Sequence, residues 1–314
     1  MMRFSFFNFV KYLLTTIGLL LCSSLAGAEM ATQDDCRPLQ PASKHFNKKL
    51  AYSNAILWQV SKEGKPSSYI FGTMHVSDPR ITVLPETVSQ KLNSAKVFVM
   101  EALPEPEESI KFSQMMFYDD GTTLKEYVDK NLFKQLSDIL ALYQLPVEAV
   151  PYIKPWAAFL VMNYPAESGK PLDLQLLDTA RQNGAEVKGL ETLSEQGNIF
   201  SSLDFKTQMQ LLLDTVCNYN SMEDDYEAMK SYYLKRDLQG LVAYSYKYSF
   251  SEEKIYKDLF KKLLQDRNVT MVDRMQDILK TGNAFIAIGA MHLPGDDGVL
   301  KLLANKGYRI TSVY

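Results

Sequence analysis

The chain has few residues of the kinds that define several classes of protein. Its 314 residues include only 3 cysteines and 3 histidines, and the formal net charge is −3. So few cysteines exclude a disulfide-rich mini-protein, and 46% apolar residues exclude a disordered chain. The near balance of charge excludes the strong positive field that attracts nucleic acid, so we expect no nucleic-acid partner. Any function that uses imidazole must draw on very few residues.

Long hydrophobic runs are also missing. The one pronounced run, residues 12–21, is shorter than the roughly 20 residues that a membrane span requires, so we expect no stable span. It follows two basic residues and precedes a small-x-small site that ends at Ala28, which predicts a secretory signal peptide of residues 1–28. Lipidation at Cys22 is the less favoured alternative because Leu21 is bulky. We therefore expect an exported protein, periplasmic or secreted.

The segment after the signal peptide lacks any hydrophobic period. Residues 29–50 are predicted to form an N-terminal arm, and His45 in this arm is expected on the surface. The exported chain keeps Cys36 and Cys217. In an oxidising compartment the two cysteines either form a disulfide with each other or remain as two unpaired thiols, and the sequence leaves both alternatives open.

Strand and helix patterns alternate at both ends of the remaining chain. Apolar segments predict strands at residues 55–60, 68–71, 96–101, 185–190, 284–288 and 309–313, the first two joined as a hairpin. Helical spacing predicts helices at residues 85–93, 123–145, from 155, 173–183 and 298–306. A Pro/Glu-rich loop is expected after residue 101.

These patterns predict an α/β (α+β) fold. Strands near both termini favour one mixed central sheet that is built from both ends of the chain. Residues of about 195–281 are almost wholly helical by period and are predicted to form a large insertion or cap. We expect this insertion to lie within one domain of residues 51–314.

A short internal repeat carries the strongest functional signal. Residues 69–76 (YIFGTMHV) and 286–293 (IAIGAMHL) each contain an apolar strand followed by Gly, a small residue, Met, His and an aliphatic residue. The glycines Gly72 and Gly289 allow the backbone to turn sharply away from the strand. Because ligands of α/β sheets bind beyond the carboxyl ends of strands, His75 and His292 are predicted to share a functional site.

Two carboxylates follow the same rule. Glu101 ends one predicted strand and Glu191 directly follows another. Two imidazoles and two carboxylates suit a divalent cation, Zn²⁺, Mn²⁺ or Co²⁺, with a position left for the water that a hydrolase activates. We expect His75 and His292 to be metal ligands and Glu101 to be the third ligand or a general base. Glu191 would support a ligand or add to the ligand set.

The motifs together resemble those of a known family. Gly72-Thr73-Met74-His75, Val99-Met100-Glu101, Gly189-Leu190-Glu191-Thr192 and the segment GAMHLPGDDGVL at residues 289–300 are similar to the pattern of the TraB/GumN family, which includes PrgY-type proteins and the Tiki metalloproteases. The resemblance runs from about residue 55 to 308. It implies a Tiki-like α/β fold, a divalent-metal site made by two G-x-x-H motifs and a Glu, and hydrolysis of a peptide or protein substrate.

Four further polar residues lie outside the strand ends. Arg267-Asn268 with Arg274 resembles the family's R-N-x(5)-R segment, and a spacing of seven places the two arginines on one helix face. They are candidates to stabilise an oxyanion or hold a substrate carboxylate, or they form ion pairs on a solvated helix. Asp173 precedes a helix and is more simply interpreted as an N-cap than as a site residue.

Two other functions stay open. The alternatives are a non-catalytic exported protein that sequesters a peptide or a metal, and an esterase-type hydrolase. The oligomeric state is not indicated by the sequence.

Overall fold

The computed structural model describes residues 30–166 and 169–314, so the predicted signal peptide and Cys22 lie outside the described residues. The strands are β1 (Leu57–Ser61), β2 (Ser68–Thr73), β3 (Val97–Ala102), β4 (Glu186–Glu191), β5 (Ala284–Gly289) and β6 (Arg309–Ser312). They form one six-stranded sheet in the order β4-β3-β5-β2-β1-β6. The predicted strands and the mixed sheet built from both ends of the chain are confirmed.

The direction of the strands decides where their ends meet. β1 pairs antiparallel with β2, as the predicted hairpin requires, and also with β6. β2 pairs parallel with β5, β5 with β3, and β3 with β4. Because these four strands are neighbours and parallel, all of their carboxyl ends lie at one edge of the sheet. The register places Thr73 beside Gly289 and Ala102 beside Glu191.

Helices, joined by loops and turns, cover the sheet and make up most of the other described residues. They are α1 (Pro79–Thr82), α2 (Glu86–Asn93), α3 (Pro106–Met115), α4 (Lys130–Leu142), α5 (Pro155–Met162), α6 (Leu172–Gln182), α7 (Leu193–Ser201), α8 (Phe205–Cys217), α9 (Met222–Leu234), α10 (Leu238–Ser245), α11 (Lys254–Phe260), α12 (Arg267–Arg274), α13 (Gln276–Thr281) and α14 (Val299–Asn305). The predicted α/β class is confirmed.

Two local predictions need correction. The predicted Pro/Glu-rich loop after Glu101 is confirmed only for residues 103–105, and α3 begins at Pro106. Proline is tolerated in the first turn of a helix, and acidic residues there interact favourably with the helix dipole. The predicted helix of residues 123–145 starts later. Its capping box, Thr123 with Glu126, closes only one 3₁₀ turn, and α4 begins at Lys130, where the Asp129 side chain accepts from the Leu132 N–H.

Apolar side chains form two clusters. The first surrounds the sheet and includes the fully buried Ile70, Phe98 and Ile286. The second lies among the helices and includes Trp156 of α5 and Leu212 of α8. The helical cluster therefore combines helices that precede β4 with helices that follow it, and both parts contribute to the cap.

The N-terminal arm is attached to the cap. Cys36 and Cys217 form a disulfide, with their Cα atoms 5.6 Å apart, which decides the alternative that the sequence left open. Arg37 next to it donates to the buried carboxylate of Asp214 from Nε at 2.9 Å. His45 is exposed on the arm, as expected. Within the part of the chain that the structure describes, we find no helix with the length and apolarity needed to span a membrane.

Candidate functional site

The four parallel strands bring the predicted site residues to one edge of the sheet. Glu101 lies near the end of β3, and Glu191 is the last residue of β4. His75 follows the end of β2 by two residues, and His292 lies in a 3₁₀ turn directly after β5. His292 Nε2 lies 3.6 Å from Glu101 Oε1, and the charge of Glu101 also contributes to raising the pKa of His75.

Arg267 is at the centre of the cluster. It is the first residue of α12 and follows a π-helical turn, a distortion that is frequent at functional sites. Its Nη2 lies 2.5 Å from Glu101 Oε2 and 2.8 Å from Glu191 Oε2, and its Nη1 lies 3.3 Å from His292 Nε2. The side chains of Arg267, Glu101 and Glu191 are 13%, 11% and 6% exposed, so this ion cluster is largely shielded from water.

Glu101 is ionised despite its burial. Burial raises the pKa of this carboxyl, but the charge of His292 in its protonated form, the charges of Arg267 and His75 and the N–H of Gly289 outweigh it and hold the pKa well below its usual range. The Gly289 N–H donates to Glu101 Oε1 at 2.6 Å. A Cβ at Gly289 would lie 3.1 Å from the same oxygen, so the second motif glycine makes room for the carboxylate.

His292 presents Nε2 to the cluster. Its Nδ1 lies 2.6 Å from Asn268 Oδ1, and Asn268 Nδ2 donates to the backbone carbonyl of Asp297 at 2.8 Å. Because the amide nitrogen is used in that bond, Oδ1 accepts from Nδ1–H, and Nε2 keeps its lone pair. Burial lowers the pKa of His292 to about 4, so the ring is neutral at neutral pH.

His75 has the same arrangement with a charged partner. Its Nδ1 lies 2.7 Å from Asp173 Oδ2, and the Thr73 hydroxyl donates to Asp173 Oδ1 at 2.5 Å. The Asp173 carboxylate raises the pKa of His75. The interpretation of Asp173 as an N-cap is wrong: Pro171 occupies that position, and Asp173 is already inside α6, with its side chain turned to His75.

Arg274 lies outside the central cluster. It donates to the Leu190 carbonyl at 2.7 Å and to the carboxylate of Glu195 at 2.7 and 2.8 Å. Its side chain is 42% exposed. These contacts attach α12 to the end of β4 and to α7, so the structure gives Arg274 a positioning role beside Glu191.

Asn268, Asp173, Gln196 and Tyr164 are neighbours of the cluster that the sequence left without a clear role. Gln196 Nε2 lies 3.2 Å from Glu191 Oε2, and the Tyr164 ring lies 6.0 Å from the His75 ring. Partial burial and the charges of Glu101 and Asp173 raise the pKa of Tyr164 to about 12. The position of Asn268 directly after Arg267 was the one available signal.

Across residues 30–166 and 169–314, no group of three or more His, Cys, Asp or Glu is arranged to hold a metal ion. The guanidinium of Arg267 lies against both Glu101 and His292. The chemistry of the donors nevertheless fits a cation. Each histidine has Nδ1 bonded to a buried acceptor, the usual arrangement around metal-binding imidazoles. Glu101 and Glu191 face the guanidinium of Arg267, while the third carboxylate, Asp173, faces His75. Because Asp173 raises the pKa of His75, a cation that binds this ring has to displace a proton from it.

An open groove of about 400 Å³ adjoins this cluster on the β4 side. It is lined by Glu191 and Arg267 and, further out, by Glu195, Arg274 and Lys262. A larger depression of about 540 Å³ lies on α4, lined by residues such as Asn131 and Gln135, and none of the cluster residues borders it. The smaller groove therefore borders two residues of the cluster, Glu191 and Arg267.

Comparisons with known proteins agree with the motifs. Metalloprotease TIKI1 of Danio rerio is 21% identical over an alignment of 335 positions, and the alignment covers 90% of this chain and 67% of that protein. Metalloprotease TIKI2 of Danio rerio is 23% identical over 314 residues, which cover 82% and 60%. Metalloprotease TIKI1 of Xenopus tropicalis is 22% identical over 325 residues, which cover 86% and 63%. The chain thus spans 60–67% of the length of these relatives.

No solved structure is a significant match to the chain. The model of the TraB/PrgY/gumN family matches residues 56–312, which is most of the sequence and includes every strand of the sheet. The chain therefore belongs to the TraB/PrgY/gumN family.

Proposed function

We propose that the chain is an exported, divalent-metal-dependent peptidase in which His75, His292 and Glu101 hold the metal. The observation that carries the proposal is the matched placement and hydrogen bonding of the two motif histidines. Both stand beyond neighbouring parallel strands, and both have Nδ1 bonded to a buried acceptor. This leaves Nε2 of each ring as the nitrogen available to a cation.

The remaining residues have separate roles in this proposal. A bound divalent cation supplies Lewis acidity toward a carbonyl and toward water. Glu101 is the carboxylate ligand or, when free of the cation, the general base. Glu191 accepts three hydrogen bonds from Arg267 and so holds it in place, and Arg267 offers positive charge to the oxyanion that forms during hydrolysis. Arg274 holds α12 against the end of β4.

The substrate and the metal are proposed more coarsely. The relatives named metalloproteases favour a peptide or protein substrate. Imidazole with carboxylate accepts Zn²⁺, Mn²⁺ or Co²⁺, so we propose no single metal. Export is supported by the Cys36–Cys217 disulfide, because such bonds persist in oxidising compartments.

The test uses the protein expressed with its disulfide intact, stripped by chelator and reloaded with Zn²⁺, Mn²⁺ or Co²⁺. Cleavage of a peptide library is followed by mass spectrometry. We expect metal-dependent cleavage that is lost in His75→Ala, His292→Ala and Glu101→Gln. His45→Ala is the matched control, because this third histidine is exposed on the arm.

Two results would change the proposal. A wild-type protein that binds no stoichiometric divalent ion, with the His75→Ala and His292→Ala variants unaltered in every assay, would remove the metallohydrolase function. Metal-dependent cleavage of esters alone would replace the peptidase with an esterase-type hydrolase.

A further inference from the structure

Tyr164 stands on the His75 side of the site, opposite the groove beside Glu191. Its ring centroid lies 6.0 Å from that of His75, with the planes at 53°. The residue is 44% exposed, although most large side chains around the sheet are buried. A solvent-accessible phenol next to a proposed metal ligand can meet a substrate directly.

The backbone at Tyr164 is held in place. The Tyr143 hydroxyl donates to the Tyr164 carbonyl at 2.7 Å, and its own oxygen lies 2.9 Å from the Tyr219 hydroxyl. The preceding residue, Asn163, accepts from the Tyr226 hydroxyl and donates from Nδ2 to Thr215 Oγ1 at 3.1 Å. These bonds hold the backbone of residues 163 and 164, from which the Tyr164 ring extends toward His75.

The hydroxyl of Tyr164 differs in its hydrogen bonding from two other hydroxyls at this edge of the sheet. The Thr73 hydroxyl is used by Asp173, and the Tyr233 hydroxyl donates to the Gly72 carbonyl at 2.7 Å. Among the described residues, the Tyr164 hydroxyl forms no hydrogen bond. The N–H groups of Arg267 are already directed at carboxylates, at the Leu263 carbonyl and at His292.

Hydrolysis of a carbonyl develops negative charge on its oxygen, and a preorganised donor that faces this oxygen lowers the barrier. We propose that the Tyr164 hydroxyl donates a hydrogen bond to the developing oxyanion of the substrate from the His75 side of the site. The inference rests on the proposed function, because the oxyanion exists only if the protein hydrolyses a carbonyl substrate. It adds a catalytic residue that contacts the substrate to the residues that hold the metal.

Tyr164→Phe removes the hydroxyl and keeps the ring. On the peptide that the wild type cleaves best, we expect kcat to fall about 100-fold with KM within twofold of wild type. The Ki of a phosphinic analogue of that peptide, which mimics the tetrahedral oxyanion, should rise in proportion to the fall in kcat/KM. Metal stoichiometry and the melting temperature should stay unchanged. Tyr152→Phe is the control, since Tyr152 is also partly exposed and lies away from the cluster.

A Tyr164→Phe enzyme with kcat within twofold of wild type would overturn the inference while leaving the proposed function intact. A rise in KM alone would also overturn it, because the ring would then act as a surface for substrate binding. A wild-type protein without metal-dependent hydrolysis would overturn the proposed function and this inference together. These outcomes are distinguishable because the first two require an active wild type.

Discussion

Arg267 Nη2 lies 2.5 Å from Glu101 Oε2, so a fixed positive charge sits beside the carboxylate that we propose as a metal ligand. The same guanidinium receives more support from Glu191, which accepts from both Nε and Nη2. Arg267 and a divalent cation therefore compete for Glu101, while Glu191 gives the arginine a second attachment. The competition can be measured without any substrate.

Arg267→Gln should bind Mn²⁺ at least about tenfold more tightly than wild type in isothermal titration. The reason is that repulsion between a guanidinium and a divalent ion a few ångströms apart exceeds the about 1.4 kcal/mol that a tenfold change represents. Without metal, the variant should lose about 3–5 kcal/mol of unfolding free energy, because buried carboxylates lose their partner. Arg267→Lys keeps the charge and should stay close to wild-type affinity. Equal or weaker Mn²⁺ binding by Arg267→Gln would show that the arginine supports the metal rather than competing with it.

Asp173 sets the orientation of His75 from 98 residues away along the chain. Asp173→Asn removes the charge that faces Nδ1 and should weaken metal binding by about 10–100-fold, the usual effect of altering a partner of a metal-binding histidine. Asp178→Asn is a matched control on the same helix, where the carboxylate pairs with Lys170 at the surface. A loss of affinity in both variants, or in neither, would contradict the assigned role of Asp173.

Asn268 has the corresponding role for His292, and the pair is buried. Asn268→Ala should reduce metal affinity about 10–100-fold, because the ring loses the acceptor that fixes its tautomer. Asn268→Asp retains an acceptor and should recover part of this loss. Metal titration followed by the melting temperature of each variant would separate a ligand effect from general destabilisation. Full wild-type affinity in Asn268→Ala would exclude the role.

The disulfide should stabilise the folded chain, since Cys36 and Cys217 are separated by 181 positions. Replacing both with serine should cost about 2–4 kcal/mol of unfolding free energy, measured by urea denaturation. Reductant should lower the melting temperature of the wild type and leave the double variant unaffected. Detection of two free thiols at these positions in unreduced, denatured protein would contradict the bond.

The site residues at the strand ends could be predicted from the sequence. The helix residues that form hydrogen bonds with them could not. Alternating apolar segments with a following glycine indicate strands locally, and the repeat of G-x-M-H indicates two equivalent ends. The bonds from Asp173 to His75 and from Asn268 to His292 depend on how α6 and α12 pack back on the sheet. No local spacing contains that information. Tyr164 was missed for the same reason, because it reaches His75 only through the fold of the cap.

The order of the strands has a consequence for biosynthesis. β5 lies between β3 and β2 in the sheet, although it is synthesised more than 180 residues after β3. A nascent chain that still lacks β5 cannot join β3 to β2, and it also lacks His292. The edge that we propose as the metal site is therefore completed only when residues 284–292 have been synthesised. Until then β2 and β3, with His75 and Glu101, have no strand between them that brings the two residues to one site.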